Sequence, residues 1–308
     1  MMIDHGYIFP CGWYSFQYHF DVIDSFERSH LQIIHYTSSQ SMQNLYERIQ
    51  RMKEVIGDDT LLFCDITWGA GGSTSQLSMD IAIYMQQQLN ITTNLHMTCT
   101  NMIAPTPADG AAAVEPIEPK KVIQNSIQTA IQHDVINIFA LRGDPPVNAD
   151  GSHSSTFVPI KDGFTCALDL VKFIRHPDTI LDGITNNTTQ IGVGVAGYPE
   201  GHPVAITVVD DVSTMTESEK ARSSYDYATQ TTYTCRDADY EKELIYLKEK
   251  VDAGAEFIVS PGLTERLGHA AREAGVPFLP GIANAGDIML GLDLGLTHFK
   301  FLDRKSVV

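Results

Sequence analysis

The sequence predicts an α/β fold, a (β/α)8 or TIM barrel that lacks its last helix, and three observations indicate it. Short β-branched runs alternate with helical stretches, giving eight candidate strands and seven intervening helices. Most strand candidates are continuous apolar runs, as expected for parallel strands buried on both faces. The length of 308 residues fits one barrel. We therefore interpret residues 1–308 as a single domain.

The elements follow one another in a regular order. The candidate strands are Trp13–Phe20, Leu61–Trp68, Asn94–Thr100, Val135–Leu141, Ile191–Tyr198, Glu256–Ser260, Pro277–Ile282 and Thr297–Leu302. The helical patterns between them are Gln43–Val55, Gln76–Leu89, Lys121–His133, Cys166–Ile174, Tyr240–Ala253, Thr264–Ala274 and Ala285–Leu294. Two connections are long, Pro105–Glu118 and Pro203–Asp239. The second predicts a short helix near Ser213–Lys220, and its length is typical of a lid, an insertion or disorder.

Composition and charge exclude several classes of protein. With 43% hydrophobic and 19% charged residues, the chain is not disordered, collagen-like or a coiled coil. Lys and Arg number 21 against 38 Asp and Glu, a net charge of −17, so nucleic acid and anionic membranes are not expected partners. An anionic ligand would need local cations or helix N-termini.

The cysteines indicate a reducing compartment. Their number is odd, their spacing is wide and no CxxC occurs, which argues against a disulfide framework or a zinc site. They are Cys11, Cys64, Cys99, Cys166 and Cys235. No apolar run of 18 residues and no signal-peptide layout are present, so we expect a cytoplasmic protein without a metal.

Polar residues at the ends of the predicted strands carry the chemical signal, because barrel active sites lie on the loops that follow the strands. The second strand runs into Asp65-Ile-Thr-Trp-Gly-Ala-Gly-Gly-Ser-Thr, whose glycines would let a ligand approach the backbone or would simply make a flexible turn. The third strand holds His96, a catalytic candidate or a core histidine. The fourth ends in Arg142, Gly143 and Asp144, a ligand site or a salt bridge.

The fifth strand and the following helix extend this set. Tyr198 offers an aromatic face and His202 a titratable donor. By themselves, three charged residues of the following helix indicate a solvated helix face: Lys248, Glu249 and Lys250. Ser-His-Asp order, HExxH and GxxxxGK[ST] are all missing from the sequence, so a bound organic cofactor with phosphates is favoured over hydrolysis.

Long strings of the sequence resemble methylenetetrahydrofolate reductase over about residues 42–257. The strings are Asp65-Ile-Thr-Trp-Gly-Ala-Gly-Gly-Ser-Thr, Leu95-His-Met-Thr-Cys-Thr-Asn-Met, Ala140-Leu-Arg-Gly-Asp-Pro-Pro, Gly163-Phe-Thr-Cys-Ala-Leu-Asp-Leu-Val, Val195-Ala-Gly-Tyr-Pro-Glu-Gly-His-Pro and Asp239-Tyr-Glu-Lys-Glu-Leu-Ile-Tyr-Leu-Lys-Glu-Lys-Val-Asp-Ala-Gly-Ala. Several strings in the right order make the resemblance specific.

The resemblance implies a flavin enzyme of one-carbon metabolism and methionine biosynthesis. NAD(P)H would reduce FAD and leave, and 5,10-methylenetetrahydrofolate would then be reduced to 5-methyltetrahydrofolate. It implies that eleven residues line the flavin: Thr67, Trp68, His96, Arg142, Gly143, Asp144, Cys166, Ala167, Tyr198, His202 and Lys250. Asp144 would also contact the pterin and tune the flavin, which makes it the catalytic and substrate-binding candidate. The expected partner is a reduced folate, and a homo-oligomer is compatible with this interpretation.

Two departures from that family predict an impaired enzyme. Residues 1–40 match it poorly, and Gln17 stands where the family has the glutamate that acts as general acid; an amide cannot donate a proton as an acid does. At the other end, Pro261 stands where the family has a folate-binding glutamine.

The C-terminal part resembles a second family, 2-keto-3-deoxy-6-phosphogluconate aldolase. The matching strings are Ile258-Val-Ser-Pro-Gly-Leu-Thr, Phe278-Leu-Pro-Gly-Ile and Gly295-Leu-Thr-His-Phe-Lys-Phe, within residues 254–302. Lys300 matches that family's Schiff-base lysine, although the aldolase's base-bearing strand and phosphate loop have no counterpart here. Residues 303–308 form a tail. The alternatives are therefore a Schiff-base aldolase using Lys300 or a non-catalytic flavin-binding barrel.

Overall fold

A computed structural model describes residues 20–21, 43, 46–47, 49–51, 54, 63–68, 75–98, 118–143, 159–176, 191–198, 200–282 and 284–301. The chain divides into two compact units. The first comprises Met1–Pro10 and Gln17–Val193, and the second comprises Cys11–Phe16 and Gly194–Val308. Each unit is built on parallel strands alternating with helices.

The first unit contains four parallel strands that follow one another in chain order. They are β1 (Phe20–Asp21), β2 (Cys64–Ile66), β3 (Thr93–Thr98) and β4 (Asn137–Leu141). The backbone N–H of Gly192, the first residue of β5 (Gly192–Ala196), donates to the Ile136 carbonyl beside β4 at 2.9 Å. The helices of this unit are α1 (Ser75–Gln87), α2 (Pro119–Gln132) and α3 (Ala167–Arg175), and the described positions between 43 and 54 are also helical.

Helical periodicity explains how α1 packs. Its buried residues include Met79, Ala82 and Met85, which recur every three to four positions and so share one face. This face packs on β2 and β3. In α2, Pro119 occupies the first turn, where its missing N–H breaks no helical hydrogen bond. The α1 helix thus covers one side of the sheet at β2 and β3.

The opposite side of this sheet is polar, and the strand register shows why. Asp65 is paired with Asn94, and Asn94 with Asn137, so these three side chains point to the same face. His96 is two residues beyond Asn94 and therefore shares that face, one layer nearer to the carboxyl ends of the strands. The sequence places a polar layer directly beneath the strand ends.

The second unit begins with the last three residues of β5, which pair in parallel with β9 (Phe257–Ser260). Two further parallel strands follow, β10 (Phe278–Ile282) and β11 (Lys300–Phe301). The helices are α4 (Glu217–Ala221), α5 (Asp237–Asp252), α6 (Glu265–Glu273) and α7 (Ala285–Asp293). A separate antiparallel sheet has the order β6-β8-β7, formed by β6 (Ile206–Val209), β7 (Ser224–Asp226) and β8 (Thr231–Cys235).

The predicted α/β fold class is confirmed: within each unit, parallel strands in chain order alternate with helices, as they do along an α/β barrel. Predicted and observed boundaries differ by a few residues. Of the predicted first strand only Phe20 lies within the described residues, and most of Pro105–Glu118 lies outside them. The connection Pro203–Asp239 is an ordered insertion that carries the antiparallel sheet and the predicted short helix, here α4. Its strands are half-exposed, which explains why the stretch looks polar in sequence.

Candidate active site

The first unit gathers several predicted site residues at one edge of its sheet. Thr67 and Trp68 directly follow β2, and Arg142 and Gly143 directly follow β4. Because the carboxyl ends of parallel strands meet at one edge, these residues lie on the side where α/β barrels bind ligands. His96, on the strand between them, lies close beneath this edge. The structure thus brings five of the predicted residues to one edge.

His96 is a core residue with a charged neighbour. Its side chain is 10% exposed, and its Nε2 lies 3.1 Å from Oδ1 of Asp65, whose side chain is fully buried. The ring packs against Phe139 with centroids 4.7 Å apart. Sequence reasoning did not single out Asp65, although an acidic residue inside an apolar strand was a usable signal.

Two buried side chains near this edge carry polar atoms without a hydrogen-bond partner in the described part of the chain. Trp68 Nε1 and Thr98 Oγ1 are buried and have no hydrogen-bond partner among the described residues. A buried polar group without a partner costs free energy, so such atoms commonly mark the place of a ligand or an ordered water. Together with the Arg142 guanidinium, these donors fit a polar, anionic organic cofactor such as FAD.

The turn at Arg142 and Gly143 has a hydrogen bond from a side chain to a backbone carbonyl and a glycine with positive φ. Arg142 Nε donates to the Gly143 carbonyl at 3.3 Å. Gly143 has φ 91°, a left-handed conformation that strongly favours glycine. Arg142 as a whole is half-buried at the strand end. Asp144, the predicted catalytic residue, lies outside the described residues.

Cys166 and Ala167 stand at the start of α3. Cys166 is the N-cap residue, and Ala167 is the first helical residue and is buried. Asp169 Oδ2 accepts hydrogen bonds from Thr165 N at 2.9 Å and Thr165 Oγ1 at 2.6 Å. Burial opposes ionisation of Asp169, but the hydrogen bonds from Thr165 and Cys166 prevail and lower its pKa below 3.8. This helix start therefore already contains an ionised carboxylate.

Tyr198 and His202 contact each other in the second unit. Their rings meet edge to face with centroids 4.9 Å apart. His202 Nδ1 accepts a hydrogen bond from the backbone N–H of Val204 at 3.2 Å. An accepting Nδ1 leaves the ring proton of the neutral histidine on Nε2, so His202 can act as a donor through that atom.

Lys250 is buried, which corrects the expectation of a solvated lysine face on this helix. Its side chain donates from Nζ to the Ala196 carbonyl at the end of β5 at 2.7 Å, and the ammonium lies 4.8 Å from the Tyr246 ring centroid. The whole residue is 4% exposed. By contrast, Lys248 pairs with Asp252 on the surface at 2.6 Å. The helix thus directs one of its two neighbouring lysines to a strand end.

Of the two positions at which the sequence departs from the reductase pattern, one lies within the described residues and the other does not. Gln17 lies outside the described residues. Pro261 directly follows β9 and is exposed. Lys300 opens β11, where it is paired with Gly281 of β10.

Comparisons with known proteins identify the family. A family model described as methylenetetrahydrofolate reductase matches residues 37–266, most of the chain. The chain belongs to the methylenetetrahydrofolate reductase family. A probable methylenetetrahydrofolate reductase (NADH) from Oryza sativa subsp. japonica is 34% identical over 252 residues, and a methylenetetrahydrofolate reductase (NADH) 1 from Arabidopsis thaliana is 35% identical. Each alignment covers 80% of this chain and 33% of the plant protein, so the chain spans about a third of these reductases' length.

The methylenetetrahydrofolate reductase match overlaps a second one at the C-terminal end. A model of the KDPG and KHG aldolase family matches residues 243–306. A 2-dehydro-3-deoxy-phosphogluconate aldolase from Zymomonas mobilis subsp. mobilis is 52% identical over 61 residues, which are 20% of this chain and 29% of that protein. Both resemblances found in the sequence are thereby confirmed.

Within the ranges that the structure describes, no group of three or more His, Cys, Asp or Glu side chains could hold a metal ion. None of the helices in those ranges is long and apolar enough to cross a lipid bilayer.

Proposed function

We propose that this chain is a cytoplasmic, FAD-dependent reductase that converts 5,10-methylenetetrahydrofolate into 5-methyltetrahydrofolate with NAD(P)H as the reductant. Membership of the reductase family supports the reaction, and the plant relatives carry NADH in their names. The observation that carries the proposal for this chain is a pair of buried polar atoms without a hydrogen-bond partner among the described residues. They are Trp68 Nε1 and Thr98 Oγ1, near the edge of the sheet where Thr67 and Arg142 follow their strands.

The cationic residues of the site explain how so acidic a protein would hold an anionic cofactor. The net charge of −17 repels a diphosphate at long range. Arg142 and Lys250 each place a positive charge at a strand end, and Lys250 is held there by the Ala196 carbonyl. We propose that Arg142 provides local positive charge in the first unit, where Thr67, Trp68 and His96 add hydrogen bonds, and that Lys250 provides it in the second unit, where His202 adds a hydrogen bond.

FAD and the protein would make different contributions to the reaction. When bound, FAD supplies two-electron hydride chemistry that no amino-acid side chain can perform. The chain's own residues would bind the cofactor and the substrate, orient them and shield them from water. In the first unit, Trp68 and Phe139 offer apolar surface and the Arg142 guanidinium offers donors. In the second unit, Tyr198 offers an aromatic face and His202 a donor at Nε2. We assign Asp144 to substrate contact, as the resemblance implies.

We further propose that turnover of the folate is weaker than reduction of the cofactor. Gln17 cannot protonate the folate as a glutamate would, and Pro261 lacks the amide of a folate-binding glutamine. Both losses fall on folate chemistry, and neither affects the residues assigned to FAD. The two half-reactions should therefore be impaired unequally.

An absorbance scan tests the proposed function. The purified full-length protein should retain FAD or take it up, show flavin absorbance, and lose that absorbance when NADH is added without oxygen. An Arg142→Ala variant should bind FAD more weakly, whereas Lys248→Ala, whose lysine pairs with Asp252 on the surface, should bind it unchanged. Failure of the wild type to bind added FAD would reject the proposal. Tight FAD binding with no NAD(P)H oxidation would favour the non-catalytic flavin-binding alternative.

The aldolase match supports a second candidate function, Schiff-base chemistry at Lys300. The Lys300 amine would add to the keto carbon of a 2-keto acid, and loss of water from this adduct would leave an imine. Adding pyruvate and borohydride would reduce that imine and leave a stable label on Lys300, detectable by mass spectrometry. A Lys300→Arg variant is the matched control. No label on the wild type would exclude the candidate.

A further inference from the structure

The polar layer beneath the strand ends contains a buried carboxylate. Asp65 and Asn94 are fully buried, and Asn137 is 1% exposed. The three are paired across β2, β3 and β4, so they form one row on one face of the sheet. A carboxylate in such an interior costs several kcal/mol unless hydrogen bonds and charges compensate it, which makes it a poor choice for packing alone.

Asp65 contacts two residues of β3, Asn94 and His96. Its Oδ1 accepts a hydrogen bond from Asn94 Nδ2 at 2.6 Å. The same oxygen lies 3.1 Å from His96 Nε2, without the alignment of a hydrogen bond, so their attraction is electrostatic. Asn94 thereby fixes the carboxylate, and the carboxylate faces the imidazole. The Asn94 amide contributes to the arrangement only through Asp65.

Electrostatics dictates what this carboxylate does to the histidine. When Asp65 is ionised, its Oδ1, 3.1 Å from Nε2, favours the tautomer in which Nε2 bears the proton, because the N–H dipole then has its positive end toward the charge. Nδ1 is then left as an acceptor. Phe139, packed against the ring at 4.7 Å, limits its rotation from the side of β4.

We propose that Asp65 is a positioning residue that sets the tautomer and orientation of His96. The inference rests on the proposed function in one respect, because His96 is one of the residues assigned to FAD. Asp65 acts through His96, as a supporting carboxylate acts through a ligand histidine in a metal site. Its effect on His96 exists before any cofactor binds.

The first experiment therefore reads His96 in the full-length protein without FAD. Nitrogen-15 NMR of the histidine ring, assigned with a His96→Gln variant, reports which nitrogen carries the proton. The wild type is expected to show the Nε2–H form. An Asp65→Asn variant keeps the shape of the side chain, removes its charge, and should shift the population toward Nδ1–H. A wild-type spectrum with the proton on Nδ1 would overturn the inference without any variant.

The second experiment measures FAD binding by titration. Asp65→Asn should raise the Kd for FAD roughly tenfold, the usual scale for loss of a supporting group. Asn137→Ser is the matched control, since it alters the same buried row at a side chain paired with Asn94 and not with β2, and it should leave the His96 spectrum unchanged. Thermal unfolding of each variant checks that it is folded.

The outcomes separate this inference from the proposed function. An unchanged His96 spectrum in folded Asp65→Asn contradicts the inference, whatever the cofactor does. A changed spectrum with an unchanged Kd for FAD supports the inference about Asp65 and removes His96 from the residues assigned to FAD. A wild type that binds no FAD rejects the proposed function, while the NMR result still decides whether Asp65 sets the state of His96.

Discussion

The carboxylate of Glu219 accepts a hydrogen bond from the backbone N–H of Asp237 at 3.0 Å, and this contact joins two helix starts. Glu219 also accepts from the backbone N–H of Thr216 at 3.2 Å, within the capping box of α4. Asp237 is the first residue of α5, where backbone N–H groups have no partner inside the helix. Arg236 Nη1 adds an ion pair at 3.1 Å. One buried carboxylate thus stabilises the start of α4, in the insertion, and the start of α5, which follows the insertion.

Removing this carboxylate should destabilise the second unit. We expect Glu219→Ala to lower the free energy of unfolding by about 2–3 kcal/mol, because it removes hydrogen bonds to two helix starts and an ion pair. Urea denaturation followed by circular dichroism measures the change. The matched control is Glu217→Ala in the same helix, whose side chain is 89% exposed and pairs only with Lys220 among the described residues; its effect should stay below about 0.5 kcal/mol. Equal effects of the two variants would contradict the assigned role.

Stability should fall at acid pH through the same cluster. The backbone N–H of Asp237 lowers the pKa of Glu219 below 4.5, and the Arg222 guanidinium lowers that of Asp237 below 3.8. Groups with a lowered pKa in the folded state stabilise it above their ordinary pKa values, and that stability is lost as the pH falls through the folded-state values. Unfolding measured from pH 7 to pH 3 should therefore show a decline that begins near those ordinary values. Glu219→Gln should flatten it, and an unchanged slope would refute the assignment.

Gly201 illustrates a position where the second unit tolerates no side chain. Its φ is 95°, and an added Cβ would lie 2.5 Å from Cys235 Cβ and 2.6 Å from Cys235 Sγ. Gly201→Ala should cost about 3 kcal/mol, from overpacking and a strained backbone together. Gly275→Ala is the control, because its φ is 67° but no atom lies within 4 Å of the added Cβ; it should cost about 1 kcal/mol. Similar losses in thermal stability for both would show that the contact with Cys235 is unimportant.

Much of the parallel fold could be predicted from local sequence, whereas the antiparallel sheet could not. The apolar runs around Cys64–Ile66 and Phe257–Ser260 mark buried strands without knowledge of their partners. Ile206–Val209 and Thr231–Cys235 are also β-branched, but they are brief and lie in a polar stretch. Their pairing joins residues such as Ile206 and Cys235 that are far apart in sequence. Pattern alone does not reveal such pairing.

Only part of the candidate site could be predicted from local sequence. The residues at the strand ends, such as Arg142, follow from the rule that barrel sites lie after strands. The row of Asp65, Asn94 and Asn137 depends on register, which is a property of strand pairing and not of any one segment. The burial of Lys250 depends on where α5 meets β5, and the neighbouring Lys248 shows that composition cannot distinguish the two.

Trp68 provides a test of the cofactor site that separates binding from stability. Its Nε1 is buried without a partner among the described residues, so Trp68→Phe removes a group that now costs free energy. The thermal stability of the FAD-free protein should change little or rise. If FAD accepts from this N–H, its Kd should increase roughly five- to tenfold in the variant, the value of one hydrogen bond. Isothermal titration calorimetry measures the Kd, and an unchanged value would remove Trp68 from the site.

The last prediction concerns the two positions that depart from the reductase pattern. Gln17→Glu combined with Pro261→Gln should speed the oxidation of reduced flavin by methylenetetrahydrofolate, because the first supplies a proton donor and the second an amide for the folate. The change in rate should reach about a hundredfold for a restored general acid. Flavin reduction by NADH should stay constant, since neither residue is assigned to FAD or NADH. Anaerobic stopped-flow absorbance follows both half-reactions, with Lys248→Ala as a surface control. Equal acceleration of both half-reactions, or of neither, would show that these positions do not account for impaired folate chemistry.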